Sequence, residues 1–240
     1  MNPLDIALAS REVIADGTMA FHFAKPAGFS FKPGQAIELL LIDPPGTDEA
    51  SARHAFSLVS APYEDRLTIA TRMRDSAFKN ALKALPLGAL IRLEGPFGSL
   101  TLHNNRARPA VFIAGGIGIT PFISILRQAT LSQLPQDLAL LYSSRRPEDT
   151  AFLDELKIIE KQNKRFRLSA TMTQMSKSSQ PWAGHIGAID RALLKQVTNE
   201  MTMPIYYVAG PPALVETMHQ TLNHAGVDDD DIRSEEFYGY

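Results

Sequence analysis

"VFIAGGIGITPF", Val111 to Phe122, is the stretch on which the reading of the whole chain turns. An apolar run enters Gly115, Gly116 and Gly118, and Thr120-Pro121 then opens a helical pattern. Glycine tolerates positive φ and lets other atoms approach the backbone. Thr120 suits an N-cap and Pro121 the first helical turn. The N–H groups and dipole at such a helix start favour a phosphate. The spacing is not G-x-G-x-x-G. By itself it says anion, with a nucleotide as the natural source; a tight strand–helix turn without ligand is the plainer alternative.

Outward from this turn the two sides of the chain differ. Downstream, strand and helix patterns alternate. "TPFISILRQATL" is helical, "DLALLYSS" a strand, "DTAFLDELKIIEKQ" a helix, "FRLSATMT" a strand and "AIDRALLKQVT" a helix. "PIYYVAGP" is a strand, "PALVETMHQTLNHAG" a helix, and "IRSEEFYGY" a last strand. Such alternation predicts an α/β unit with a five-stranded parallel sheet covered by helices on both faces. Upstream, "TMAFHFAKP", "QAIELLLID", "AFSLVSAP", "RLTIATRM" and "ALIRLEGPFG" are short β patterns bounded by Gly, Pro and Asp. One helix interrupts them, "SAFKNALKAL", with Ala77, Phe78, Ala81, Leu82 and Leu85 on one face. This half predicts an all-β antiparallel Greek-key barrel with one helix. "NNRARP" (Asn104 to Pro109) is the expected link, giving domains 1–105 and 106–240.

Composition narrows the function. The chain has 240 residues, 45% hydrophobic and 21% charged, with a net charge of -2. That balance gives no bulk attraction to nucleic acid or anionic membrane. There is no cysteine, so disulfides, thiolate nucleophiles and cysteine-ligated zinc or iron–sulfur clusters are excluded from these residues. The six histidines show no metal-ligand spacing, so no metal is expected. "MNPLDIALASREV" lacks the pattern of a secretory signal, and no stretch reaches the roughly 18 apolar residues of a membrane span, so a cytoplasmic protein is expected.

Taken together, the motifs resemble those of the ferredoxin–NADP reductase superfamily, in that family's order. "FSFKPGQ" resembles its lead-in to the third barrel strand and "HAFSLVSAP" its flavin strand, R-x-[YF]-[ST]. "GPFG" resembles its barrel-closing turn, "AGGIGITP" its pyrophosphate turn, "YYVAGPP" its C-G-P-P motif and "EEF" its terminal acidic–aromatic segment. The resemblance implies an FAD-binding barrel followed by an NAD(P)-binding domain.

It also implies roles for residues. Arg53, His54, Ala55, Phe56 and Ser57 would line FAD, with Phe56 against the flavin ring and Ser57 hydrogen-bonded to its N5 edge. Ser76, Ala77, Phe78 and Lys79, with Arg72 just before, would hold the FAD pyrophosphate. The family arginine falls on His54, one place after Arg53, and strand alternation sends these two to opposite faces. Guanidinium–phosphate geometry favours Arg53 for the phosphate. Gly115, Gly116, Gly118, Thr120, Gly210 and Pro211 would hold the nicotinamide nucleotide. Ala209 stands where many members carry a cysteine. Ser143 and Arg145, beside Arg146, favour a 2′-phosphate, hence NADP over NAD. Glu235 and Phe237 would serve the flavin's far face, with Ser57 completing the catalytic set, and Tyr240 would extend the tail toward the flavin.

The implied activity is hydride transfer from NAD(P)H to FAD and onward delivery to a separate one-electron acceptor such as ferredoxin or flavodoxin. An NAD(P)H:flavin or ferric reductase, or the reductase component of an oxygenase, is the alternative on the same fold. A non-catalytic electron-transfer subunit of a larger flavoenzyme is the alternative in another class.

Overall fold

In the computed structural model, which describes residues 3–42 and 52–238, the chain forms two units. One groups Met1–Thr101 with Thr120–Gln128, the other Leu102–Ile119 with Ala129–Tyr240.

The first unit is built from strands β1 (Leu4–Ala15), β2 (Thr18–Ala24), β3 (Ala36–Leu41), β4 (Arg53–Ser57), β5 (Arg66–Arg72) and β6 (Leu90–Phe97). They form one sheet in the order β4-β3-β6-β1-β2-β5, all pairs antiparallel. The sheet closes where Leu58 bridges Ile69 and the Val59 N–H donates to the Thr68 carbonyl at 2.8 Å. Alternating residues fill the interior: Phe21, Phe23, Ile37, Leu39, Leu67, Ile69 and Leu93 are buried in one cluster. The helix α1 (Ala77–Ala84) adds Phe78 and Leu82 to that cluster.

β1 is the element the sequence reading passes over. Its pairing with β2 shifts register between Leu8 and Ser10 and again between Val13 and Ala15. Each shift breaks the period-two signature by which a strand is recognised.

The second unit is a parallel sheet of β7 (Ala110–Gly115), β8 (Leu138–Ser144), β9 (Phe166–Met172), β10 (His185–Ile186), β11 (Ile205–Gly210) and β12 (Ile232–Glu236). The order is β10-β9-β8-β7-β11-β12. It has six strands where five are expected, because β10 is only two residues long and carries no readable periodicity. Every residue of β7 and β11 is buried, which is why both read as continuous apolar runs. Its helices are α3 (Leu153–Gln162), α4 (Arg191–Thr198) and α5 (Pro212–His224); the helix α2 (Thr120–Leu131) follows β7 in the chain, with Thr120–Gln128 grouped with the first unit. Leu193 and Leu194 of α4 and Val215, Met218 and Leu222 of α5 pack with Val111, Ile113, Ala139 and Leu141 of the sheet.

The chain steps from β7 to β8 to β9, then returns to place β11 on the other side of β7. The carboxyl ends of β7 and β11 therefore flank the point where strand order reverses. In open α/β sheets that crevice is where ligands bind. Among the described residues, no helix is long and apolar enough to cross a membrane.

Candidate functional site

Two groups of sequence-predicted residues assemble, each within its own unit. In the first unit, β4 pairs with β3 so that Arg53 stands opposite Leu40, His54 opposite Leu39, Ala55 opposite Glu38 and Phe56 opposite Ile37. Arg53 and Ala55 are exposed on one face. The Arg53 guanidinium pairs with Glu38 at 3.0 Å and with Glu94 at 3.2 Å. Its charge is thus met by two carboxylates, away from the face that carries His54 and Phe56. The expectation that Arg53 takes a phosphate does not fit this placement. Arg53→Ala is expected to change FAD affinity by less than about twofold and stability by at most about 1 kcal/mol, the range for exposed ion pairs. Flavin titration and thermal melting check both, and a large loss of FAD would return Arg53 to the site.

The opposite face of β4 is aromatic. The His54 ring stacks on Phe56 with centroids 4.5 Å apart, and Phe78 of α1 tilts against both. His54 Nδ1 donates to the Ala55 carbonyl at 2.8 Å. Burial pushes the His54 pKa down despite that hydrogen bond, so the ring is held toward its neutral form. Phe56 belongs to the barrel core cluster.

Ser57 closes the strand, and its hydroxyl is the informative atom. Ser57 is 4% exposed. Its Oγ is the buried side-chain polar atom without a hydrogen-bond partner among the described residues. A buried hydroxyl in that state costs about 1–3 kcal/mol, so the position calls for a partner, an ordered water or a bound group.

Lys79 tells a similar story at the start of α1. It is 6% exposed, and Nζ donates to the Arg72 carbonyl at 3.1 Å. No carboxylate among the described residues pairs with it. Burial, and then the charge of Arg74, pushes its pKa down. Ser76 is the N-cap of α1, but its side chain makes no capping hydrogen bond, and the first turn holds no acid. Ala77 is exposed and Phe78 buried. Arg72, half-buried, and Arg74, exposed, complete a cationic helix start. Lysine charge, uncapped hydroxyl and helix N-terminus together suit an anion, with Asp75 just outside the helix start and hydrogen-bonded to Asn80.

In the second unit, the glycines interlock at the carboxyl ends of β7 and β11. A Cβ on Gly118 would stand 2.4 Å from the Ala209 carbonyl oxygen, and one on Gly115 would stand 2.5 Å from a Leu214 methyl. Gly210 has φ +154°, and a Cβ there would lie 3.0 Å from the Gly115 nitrogen. Close approach of the two turns is thus sufficient reason for Gly115, Gly118 and Gly210. Gly116, at φ +51°, opens a 3-10 turn (Gly116–Ile119) that runs directly into α2. Thr120 is therefore the first α-helical residue behind that turn, buried at 1% exposure, and not the flanking cap that the sequence suggests.

The same edge gathers the C-terminal residues. Glu235 of β12 pairs in register with Ala209, and the Phe237 N–H donates to the Gly210 carbonyl at 2.9 Å. Both are half-buried. Pro211 precedes α5 on the same turn. Ser143 pairs in register with Gly115 at the end of β8. Tyr240 lies outside the described residues.

Arg145 and Arg146 are not open cations. Asp149, buried to 1% side-chain exposure, pairs with Arg145 at 3.1 Å and with Arg146 at 2.8 Å. The sequence places Asp149 three and four residues beyond the arginines, a spacing that allows such pairs, but its burial and its pairing with both appear only in the fold. Among the described residues, no cluster of three or more His, Asp or Glu is arranged to hold a metal ion.

The family described as an oxidoreductase NAD-binding domain matches residues 112–220. Ferredoxin–NADP reductase B of Sorangium cellulosum is 31% identical over 173 residues, covering 71% of this chain and 68% of that protein. The glycine betaine monooxygenase reductase subunit of Chromohalobacter salexigens is 29% identical over 222 residues, covering 92% of this chain. The chain spans only 60% of that subunit's length. Among solved structures, the ferredoxin NADP+ reductase of Neisseria gonorrhoeae, determined with bound FAD and NADP, superposes with a TM-score of 0.80. It is 24% identical, with 98% of each chain covered, so the likeness is one of fold.

Proposed function

The chain belongs to the ferredoxin–NADP reductase superfamily, and from that membership we propose that it is an FAD-dependent oxidoreductase. It takes hydride from NAD(P)H and passes electrons to a separate acceptor protein, a ferredoxin or flavodoxin. The observation that carries this reading is the buried, unpartnered Ser57 hydroxyl at the end of β4.

The residues fit the cofactor. FAD supplies the chemistry the side chains lack, accepting two electrons as hydride and releasing them singly. Ser57 Oγ donates a hydrogen bond to the hydride-accepting edge and fixes its orientation. Lys79 and the start of α1 meet the FAD pyrophosphate. The Gly116–Ile119 turn and the Gly210-Pro211 turn receive the nicotinamide nucleotide at the switch point of the sheet. Glu235 and Phe237 stand on that same edge and position the nicotinamide. Catalysis on this account is mostly positioning of two cofactors.

Arg145 and Arg146 speak for NADPH, and the carboxylates paired with them speak for NADH. These 240 residues contain no cysteine, so a ferredoxin-type cluster would lie outside them. Delivery into an oxygenase is the second reading, favoured by the monooxygenase reductase subunit among the relatives.

Ser57→Ala tests the carrying observation. Losing a hydrogen bond made to the reacting edge is expected to slow flavin reduction about 10- to 100-fold, equivalent to roughly 1.4–2.7 kcal/mol. The flavin-free protein is expected to be as stable as before or more so, by up to about 1 kcal/mol, because the orphaned hydroxyl is gone. Stopped-flow reduction by NADH and NADPH, with thermal melting, reads both. An unchanged reduction rate would place Ser57 away from the reacting edge.

A further inference from the structure

The loop after β8 carries four charges in five residues, Arg145, Arg146, Glu148 and Asp149, which sum to zero. Asp149 is their hub. Its Oδ2 accepts from Arg146 Nε at 2.8 Å, and its Oδ1 accepts from Arg146 Nη2 at 3.0 Å and from Arg145 Nη2 at 3.1 Å. Glu148 lies 3.5 Å from Arg146 and accepts from the Ser178 hydroxyl at 2.8 Å and the Ser179 N–H at 3.0 Å. The Arg146 guanidinium, above all, holds the Asp149 carboxyl below the usual carboxylate range, so it is ionised at neutral pH.

The position gives this cluster a function. β8 neighbours β7, and the loop leaves its carboxyl end, one strand from the glycine turn. A nucleotide whose pyrophosphate sits on that turn reaches the end of the second strand with its adenosine ribose. A 2′-phosphate there needs guanidinium charge that no buried carboxylate already neutralises. A 2′-hydroxyl makes no such demand.

Resting on the reading that this unit binds NAD(P)H, we propose that Asp149 sets the nucleotide preference. By holding both guanidinium charges, it makes the chain accept NADH at least as well as NADPH. This reverses the preference that Arg145 and Arg146 suggest in the sequence alone. Asp149 acts through the arginines and touches no nucleotide itself, so it is a positioning residue.

The test is the ratio of affinities. Calorimetry on the purified full chain compares NADH with NADPH, and 5′-AMP with 2′,5′-ADP, in the wild type and in Asp149→Asn. The wild type is expected to bind NADH as tightly as NADPH or more tightly. Asp149→Asn is expected to strengthen NADPH and 2′,5′-ADP about tenfold and to move NADH and 5′-AMP less than about twofold. A purely structural role would weaken all four ligands together and would overturn the assignment. So would a wild type that prefers NADPH more than about tenfold, an outcome that needs no variant to fold. A wild type that binds none of the four ligands would instead overturn the nucleotide-binding reading beneath it.

Discussion

Replacing Lys79 with methionine is expected to weaken FAD binding about 100-fold, roughly 2.7 kcal/mol, while making the flavin-free protein more stable. The two effects have one cause. Lys79 is 6% exposed, and its ammonium has only the Arg72 carbonyl as partner among the described residues. Without an anion the buried charge is a penalty, which is why burial pushes its pKa down. Methionine keeps the apolar stem and removes the charge. With a pyrophosphate present the same ammonium gains a counter-charge in a partly dry site, where such contacts are strong.

The pH dependence follows with a definite sign. A lysine whose folded pKa lies below its unfolded value binds fewer protons folded than unfolded between those two values. Stability of the flavin-free protein therefore rises with pH across that interval, and the penalty is fully present below the lowered pKa. Lys79→Met should flatten this rise. Flavin titration gives the affinity and thermal melts across alkaline pH give the stability. A variant that keeps full FAD affinity would remove Lys79 from the pyrophosphate site, whatever its melting curve.

Gly118→Ala is the second large effect. Gly118 is not among the positive-φ glycines, so the substitution tests space. Its Cβ would stand 2.4 Å from the Ala209 carbonyl oxygen, 2.6 Å from the carbonyl carbon and 2.7 Å from the Gly210 Cα. All three atoms are backbone, so no side chain can swing aside. The turns after β7 and β11 must separate, at a stability cost of about 2–3 kcal/mol. They are also the turns assigned to the nicotinamide nucleotide. Reduction by NADH and NADPH is expected to fall at least about 100-fold, since misplacement by an ångström costs that much. FAD content should hold, because Gly118 is not part of the barrel. Normal reduction kinetics in a folded variant would show that the nucleotide does not use these turns.

Much of this was legible in the sequence, for identifiable reasons. The strand and helix patterns after residue 106 are long and periodic, and α2 runs from Thr120 to Leu131 as the pattern predicts. β1 was hidden by its two register shifts and β10 by its two-residue length. The opposite faces of Arg53 and His54 followed from strand alternation. What alternation does not say is which face is already neutralised, and Glu38 and Glu94 lie on two other strands. Asp149 was within reach, since its spacing from Arg145 and Arg146 is local. Its burial is a tertiary fact. Likewise the family pattern points to Ser57, and Lys79 stands where this chain departs from that pattern, but only the folded chain shows that, among the described residues, the Ser57 hydroxyl lacks a partner and the Lys79 ammonium lacks a counter-charge.

The visible spectrum of the purified protein, before and after adding NADH or NADPH without oxygen, tests directly whether the chain is a flavoenzyme reduced by a nicotinamide nucleotide. A yellow protein carrying about one FAD per chain is expected, whose flavin absorption bleaches on mixing with the nucleotide, as hydride transfer requires. A colourless protein that takes up no FAD, or bound flavin that neither nucleotide bleaches, would contradict it.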